Sequence, residues 1–409
     1  MDSSHVCIEQ LTLSRRQFRI AVVTETYPPE VNGVAMTTGR FVDGLLRLGH
    51  QIQLIRPRQR GDDEPTQQEN LRETLSRGVP IPRYNHLKMG LPARSALLAQ
   101  WAEDRPDVVQ IVTEGPLGWS ALSAARRLRL PVVSEFHTNF DAYSTHYGLG
   151  WLKRPVTAYL RRFHNRSDLT LVPTRALQQA LLGAGYRAVE VVARGVDTSL
   201  FNPARRSDAL RGSWGAGDDD LVITYVGRLA PEKNVDLVLQ AYAAIRREIA
   251  NARLLLVGDG PARAQIDSRK TDGVIFAGMR AGEDLACHYA SADLFLFASE
   301  TETFGNVTAE ALASGLPVVA FDYAAAAELV RHGENGLLAA PANRTEFVAQ
   351  AVAAANPQTH ARLRTAAATS VAHLDWAMVV ARLVERFEAA ISRHRLPGHV
   401  QGRILVAPD

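Results

Sequence analysis

Two basic and two acidic side chains stand where short apolar runs give way to polar sequence. Arg228 and Lys233 lie five residues apart directly after the run at 221–226, and Glu302 and Glu310 follow a later run. Two cations in one loop can converge on a diphosphate, although a solvated basic loop is the alternative. Glu310 lies in an early helical turn, where the helix dipole alone would favour an acidic residue. Glu302 lies in the loop, so this structural alternative does not apply to it. The four residues therefore indicate a pocket for a phosphate-bearing ligand.

Backbone N–H groups form a second set of candidate ligand contacts. Phe304, Gly305 and Asn306 open the helix that contains Glu310, so their N–H groups would point toward a phosphate or sugar oxygen. Gly33 stands where the first loop meets the first helix, and a glycine there lets backbone N–H groups approach an anion. A tight strand-to-helix turn with Gly33 at a special φ is the alternative.

A histidine follows the apolar run at 131–136. His137 is accompanied by Thr138, Asn139 and Asp141. An imidazole at the end of a buried strand could bond a sugar hydroxyl or polarise a reacting group. A structural histidine with ordinary turn and cap residues beside it is the alternative.

Two series of short β-branched runs, with helical patterns between them, must position these residues. Such alternation predicts parallel sheets that are covered on both faces. The runs of the first series lie at 19–24, 52–56, 79–84, 108–112, 131–136, 169–173 and 189–192. Those of the second lie at 221–226, 253–257, 273–276, 293–297 and 317–321.

The two series predict an α/β fold of two Rossmann-like, doubly wound domains that face each other across a cleft. We expect an N-terminal domain over 18–200, a C-terminal domain over 201–373 and a final helix over 374–394. That helix could close either half, and we expect it to pack back on the N-terminal domain. Ligands of such folds bind beyond the carboxyl ends of the strands, where the candidate residues stand.

Other motifs favour neither a metal nor a cofactor. Gly258-Asp259-Gly260 lacks the third glycine of a dinucleotide fingerprint, and the acidic run at 218–220 reads as a solvated turn. The chain has no Walker loop, no zinc-type Cys/His spacing and no G-x-S-x-G elbow. We therefore expect no bound metal and no resident cofactor.

Charge and composition constrain the partners and the compartment. The 409 residues carry a net charge of +3, and the 46 basic residues nearly match the 43 acidic ones, which argues against a nucleic-acid partner. Cys7 and Cys287 lie far apart, which favours a reducing cytoplasm. Without a secretory signal or a run of about 18 apolar residues, we expect a cytoplasmic protein, with peripheral contact to the inner face of the cell membrane left open.

In combination and in this order, the motifs resemble those of the family-four retaining glycosyltransferases of GT-B fold. The resemblance extends from about Arg19 to His394 and looks closest to bacterial GDP-mannose-dependent α-mannosyltransferases and UDP-sugar-dependent glycolipid synthases. The matching segments are Asn32-Gly33-Val34, Phe136-His137-Thr138, Arg194-Gly195-Val196-Asp197, Gly227-Arg228, Glu232-Lys233-Asn234 and the E-x7-E pair Glu302 and Glu310.

The resemblance implies a role for each matching residue. Arg228 and Lys233 would bind the donor diphosphate and stabilise the charge that develops on the leaving nucleotide, as a divalent metal does elsewhere. Glu302 would hold the donor-sugar hydroxyls and Glu310 the ribose hydroxyls, while His137 would face the sugar at the reacting centre. Phe304, Gly305 and Asn306 would add backbone contacts, and Gly33 would let the first loop close over the phosphates.

The implied reaction moves a hexose, with mannose from GDP-mannose the best expectation, to a hydroxyl of a lipid or glycolipid acceptor with retention of configuration. The family lacks a well-placed carboxylate nucleophile, so a metal-independent front-face route is expected. A UDP-sugar-dependent diacylglycerol glucosyltransferase is the alternative within the class. A GT-B nucleotide-sugar epimerase or hydrolase, or a non-catalytic nucleotide-sugar sensor, is the alternative outside it.

The acceptor is expected on the N-terminal domain, where residues 143–166 mix aromatic and basic side chains. The mixture could place a basic, aromatic surface against an anionic membrane. An ordinary amphipathic helix that packs on the sheet fits the same residues.

Overall fold

A computed structural model describes residues 17–30, 32–60, 62–81, 84–137, 153–302 and 304–395. Three of the polar residues expected beside the candidate histidine, Thr138, Asn139 and Asp141, lie outside the described residues, as does the part of the expected acceptor surface before residue 153.

The first half of the chain is built on a mostly parallel sheet. In the described residues this sheet has the strand order β10-β9-β8-β7-β1-β2-β4-β3, in which only β3 runs antiparallel to its neighbour, while β5 and β6 form a separate antiparallel hairpin. The strands are β1 (Arg19–Val23), β2 (Gln51–Pro57), β3 (Gln67–Gln68), β4 (Leu71–Ser76), β5 (Gly78–Ile81), β6 (Tyr84–Gly90), β7 (Val108–Ile111), β8 (Val132–Glu135), β9 (Leu169–Val172) and β10 (Val189–Val191).

Helices cover both faces of this sheet. They are α1 (Gly33–Arg47), α2 (Arg94–Glu103), α3 (Pro116–Arg127), α4 (Lys153–His164) and α5 (Arg175–Gly183). Successive residues of β1 alternate between the two faces: Ile20 and Val22 join one hydrophobic cluster and Ala21 and Val23 the other. The continuous apolar strands of the sequence therefore reflect burial on two sides.

The second half has a wholly parallel sheet in the order β13-β12-β11-β14-β15-β16. Its order reverses between β11 and β14, so the loops after these two strands open into one crevice. The strands are β11 (Val222–Val226), β12 (Arg253–Val257), β13 (Val274–Gly278), β14 (Leu294–Phe297), β15 (Val318–Phe321) and β16 (Gly336–Ala339). The helices are α6 (Asp208–Ser213), α7 (Val235–Glu248), α8 (Arg263–Asp267), α9 (Gly282–Ala290), α10 (Asn306–Ala313), α11 (Ala324–Leu329), α12 (Arg344–Ala355), α13 (Pro357–Ser370) and α14 (Trp376–Arg395), with 3-10 turns at Pro203–Arg205, Pro231–Lys233 and Ala372–Leu374.

The last helix returns to the first domain. The buried side of α14, with Val380, Leu383 and Phe387 among its residues, joins a hydrophobic cluster of the N-terminal sheet. Gly44 on α1 makes this approach possible, since a Cβ there would lie 2.5 Å from a methyl carbon of Val380. The two segments that cross between the domains also pair, through the N–H of Val196 and the carbonyl of Leu374 at 2.9 Å.

The fold class is confirmed, but several individual strands differ from the expected ones. The run at 79–84 was expected in the parallel series, but β5 and β6 lie off the sheet in the hairpin. Pro80 has no N–H to donate, which restricts such a strand to an edge. The sequence prediction also missed β3 and β4 of the first sheet. It missed β16 of the second sheet as well, a run of four residues that follows Asn335, because an Asn-Gly step resembles a turn.

Candidate active site

The loop after β11 carries both predicted phosphate-binding cations, and they differ in exposure. The Lys233 side chain is 19% exposed and forms an ion pair with Glu302 from the loop after β14. The Arg228 side chain is 57% exposed and pairs with Glu232 within its own loop. The structure thus brings Lys233 and Glu302 together at the reversal of the strand order, with Arg228 at the open side of the crevice.

Two glycines that we discounted as a dinucleotide fingerprint support this loop. A Cβ on Gly258 would lie 2.0 Å from the carbonyl oxygen of Gly227, and a Cβ on Gly260 would lie 2.4 Å from that of Leu229. Only residues without a side chain allow this approach. The Gly258-Asp-Gly260 motif therefore packs against the backbone of the cation loop.

The loop after β14 leads into α10, as the sequence predicted. Gly305 caps this helix with φ of +94°, a conformation that favours glycine, and α10 begins at Asn306. The Phe304 ring is buried, and the Tyr323 hydroxyl donates to the carbonyl oxygen of Glu302 at 2.9 Å. The N-terminal end of α10 therefore lies at the same crevice as Lys233.

Glu310 has a different partner from Glu302. Its carboxylate oxygen Oε2 accepts a hydrogen bond from the buried Tyr289 hydroxyl at 3.0 Å. Burial raises the pKa of Glu310 from 4.5 to about 7, and the Tyr289 hydrogen bond offsets part of this rise. The two glutamates of the E-x7-E pair thus make separate contacts, Glu302 with Lys233 and Glu310 with Tyr289.

The raised pKa of Glu310 predicts a pH-dependent stability. Below pH 4.5 the carboxyl is protonated in both the folded and the unfolded chain, and stability is lost as the pH rises through about 7, because the unfolded chain ionises first. We expect Glu310→Gln to raise the thermal unfolding midpoint at pH 8 and to leave it nearly unchanged at pH 4.5. Scanning fluorimetry at both pH values measures this, with the exposed Glu334→Gln as the unaffected control. A variant that is less stable than wild type at pH 8 would contradict the prediction.

On the first-domain side, His137 is part of a hydrogen-bonded chain. Its Nε2 lies 2.8 Å from Glu135 Oε2, and Arg194 Nη2 lies 3.3 Å from its Nδ1. Glu135 accepts a further hydrogen bond from Gln110. A guanidinium can only donate, so Nδ1 accepts and Nε2 carries the proton that is donated to Glu135.

Gly33 is near this chain, and its predicted approach to an anion stays a prediction. Gly33 is the first residue of α1 and does not have a positive φ, so the alternative of a special φ is wrong. A Cβ on Gly33 would instead lie 3.3 Å from Arg194 Nη1. The Asn32 side chain caps the helix by accepting from the N–H groups of Val34 and Ala35. A side chain at position 33 would therefore crowd the Arg194 guanidinium.

Sequence reasoning assigned no role to three residues that the structure places at or near the site. Glu135 and Arg194 hold the two ring nitrogens of His137. Glu25, after β1, accepts from the N–H of Leu117 and so caps α3, whose own N-cap residue is Gly115. Burial raises the pKa of Glu25 to about 7. The absence of a capping side chain before Pro116 is the signal that could have revealed this contact.

The described part of the expected acceptor surface is α4. Its Leu160 and Phe163 are buried in the domain core, and Arg161 and Arg162 are exposed. The packed amphipathic helix is thus observed, and membrane contact by its basic face stays a prediction, which flotation on anionic liposomes would test.

None of the described helices is long and apolar enough to cross a bilayer. Among the described residues no three His, Cys, Asp or Glu side chains cluster as a metal site would require.

Two Rossmann-like domains with a Lys–Glu pair at the strand-order reversal define the GT-B class of glycosyltransferases, and comparison with known proteins agrees. The Glycosyltransferase Family 4 profile matches residues 31–200, and the profile "Glycosyl transferases group 1" matches residues 220–356. The chain belongs to glycosyltransferase family 4.

Individual relatives cover most of the chain. A GDP-mannose-dependent alpha-mannosyltransferase of Mycobacterium tuberculosis is 36% identical over 92% of this chain and 97% of its own length. The alpha-monoglucosyldiacylglycerol synthase of Streptococcus pneumoniae is 28% identical over 74% of this chain and 70% of its own length. Among solved structures, sucrose-phosphate synthase from Thermosynechococcus elongatus superposes with a TM-score of 0.74 at 19% identity, over 92% of this chain and all of that one, which shows a shared fold.

Proposed function

We propose that this glycosyltransferase moves mannose from GDP-mannose to a hydroxyl group of a lipid or glycolipid, with retention of the anomeric configuration and without a metal. The observation that carries the proposal is the Lys233–Glu302 pair, which joins the two loops at the crevice of the C-terminal sheet. The mannosyltransferase relative of Mycobacterium tuberculosis supports the choice of donor, and the glucosyldiacylglycerol synthase supports a lipid acceptor.

The ion pair suits a donor that is part anion and part sugar. When the diphosphate enters, Lys233 can turn its ammonium group toward a phosphate oxygen while Glu302 accepts from sugar hydroxyls. Arg228 adds a second, solvent-accessible cation at the leaving nucleotide. Cations fixed in a half-buried crevice stabilise the charge that grows on the diphosphate without reorganising at the moment of reaction.

The first-domain side favours a front-face route. A double displacement needs a carboxylate that is free to attack the anomeric carbon. Both oxygens of Glu135 are engaged, Oε1 by Gln110 and Oε2 by His137. The acceptor hydroxyl would then lose its proton to the leaving phosphate through an oxocarbenium-like state, with His137 facing the sugar.

A UDP-sugar-dependent diacylglycerol glucosyltransferase is the second candidate, favoured by the Streptococcus pneumoniae relative. We place base recognition near Met279, which is exposed after β13 beside the Arg280–Asp284 ion pair. A nucleotide-sugar epimerase or hydrolase would differ by turning over the donor without an acceptor.

Thermal-shift titration with GDP-mannose, UDP-glucose and ADP-glucose tests the donor, because at equal concentration the ligand with the lowest dissociation constant stabilises the folded protein most. We expect GDP-mannose to raise the unfolding midpoint most. The preferred donor is then incubated with and without a lipid extract, and the anomeric protons of the product are read by NMR. Donor consumption that depends on lipid and gives an α-mannoside agrees with the proposal, whereas a β-linked product or turnover without lipid contradicts it.

A further inference from the structure

Arg194 lies where the two halves of the site meet. It follows β10 on a segment that crosses between the domains, and it is 6% exposed. Its guanidinium carbon lies 5.8 Å from the centre of the Phe304 ring in the second domain. On the first-domain side it contacts His137 and fills the space beside Gly33. One side chain therefore reaches the histidine, the start of α1 and the loop after β14.

The charge of this guanidinium is poorly compensated by the protein. A buried cation needs a partner of opposite charge. The carboxylates that favour its charged form are Glu135 and Glu302, but Glu135 is bound to His137 and Glu302 to Lys233. Burial lowers the pKa of Arg194 to about 10 in spite of them.

Arg194 also has hydrogen-bonding capacity to spare. Among the described residues its hydrogen bond runs to the ring of His137, and its Nε is buried there without a partner. At the start of α1 the Asn32 side chain already accepts from the N–H groups of Val34 and Ala35, so these two donors are not available to an anion. An anion that enters between α1 and Phe304 would therefore find a donor in the guanidinium.

We propose that Arg194 is a donor-binding residue that supplies a third cation, from the first domain, to the sugar-linked phosphate of the nucleotide donor. The inference rests on the proposed function, since it needs a nucleoside diphosphate in the cleft. Arg228 and Lys233 hold the diphosphate from the second domain, and Arg194 closes on its outer phosphate from the other side. A nucleoside monophosphate lacks that phosphate and does not engage Arg194.

Calorimetric titration of GDP and GMP into wild type and Arg194→Met tests the assignment. We expect the variant to bind GDP about 10- to 100-fold more weakly, the value of a charge-assisted hydrogen bond in a buried site, and to bind GMP within about twofold of wild type. Arg40→Met is the matched control, because Arg40 pairs with Asp197 of the same crossing segment but has a side chain that is 37% exposed. This control should keep both affinities.

If Arg194→Met does not fold, Arg194→Lys is used in its place. It keeps one charge but loses the planar fork, so GDP binding should weaken by less than in Arg194→Met, again with GMP unchanged. Equal losses for GDP and GMP, or no loss for GDP, in the variant that folds would overturn the role of Arg194. A wild-type enzyme that binds none of GDP, UDP and ADP would instead overturn the proposed function. If UDP binds best, the titrations use UDP and UMP in place of GDP and GMP.

Discussion

A Lys233→Ala variant is expected to lose about 100- to 1,000-fold in the rate of sugar transfer while it keeps its fold. Lys233 is the less exposed of the two cations after β11, and its ammonium is held at the crevice by Glu302. Removing a preorganised group that stabilises developing charge costs about this factor in turnover. Release of the nucleotide from the donor, followed at saturating acceptor, measures the rate.

The control must separate lost chemistry from a broken ion pair. Lys270→Ala removes an exposed lysine just after α8 and should leave the rate unchanged. Lys233→Ala leaves Glu302 without its ammonium partner, so the double variant Lys233→Ala/Glu302→Ala should regain unfolding stability but no activity. Near-normal turnover in Lys233→Ala, or recovered turnover in the double variant, would rule out a phosphate-binding role.

The sequence carried enough information to place the second-domain residues. Strands buried on both faces are continuous apolar runs, and the polar residues that follow them must lie at the carboxyl edge of a parallel sheet. Lys233, Glu302 and Gly305 were found by that rule, and they lie together at the crevice. Motif order added the family, because no single loop is specific by itself.

What sequence reasoning could not supply are contacts between distant segments. Arg194 follows a strand of the first domain, yet its surroundings come from Gly33, His137 and Phe304, three separate stretches of the chain. Glu135 lies in a buried strand, and the apolar pattern of such a strand predicts burial. The pattern does not predict that the Glu135 carboxylate bonds to a histidine two residues later. Their roles depend on how the two domains face each other, which local spacing does not encode.

The same limit applies to the amino-terminal ends of the strands in the second sheet, where the Asp293 carboxylate accepts three hydrogen bonds and forms a further ion pair. Its Oδ2 accepts from Arg211 and from the N–H of Val222, both at 2.9 Å, and its Oδ1 accepts from Arg364 at 3.1 Å. Arg206 forms an ion pair with the same Oδ1 at 3.0 Å. Asp293 is 5% exposed. One carboxylate thus ties α6 and α13 to the start of β11, far from the crevice.

Asp293→Ala is therefore expected to lower the free energy of unfolding of the C-terminal domain by about 3–5 kcal/mol, because it leaves the buried Arg211 guanidinium without its counter-charge. Urea unfolding should show the midpoint falling by about 1–2 M. Glu334→Ala is the control, since the Arg331–Glu334 pair is exposed and is worth less than about 1 kcal/mol. At urea concentrations below the unfolding transition, nucleotide binding should stay at the wild-type level. The Asp293 carboxylate stabilises the sheet at the amino-terminal ends of its strands, away from the ligand. A midpoint within the range of the control would show that the arginines find water or other acceptors when Asp293 is removed.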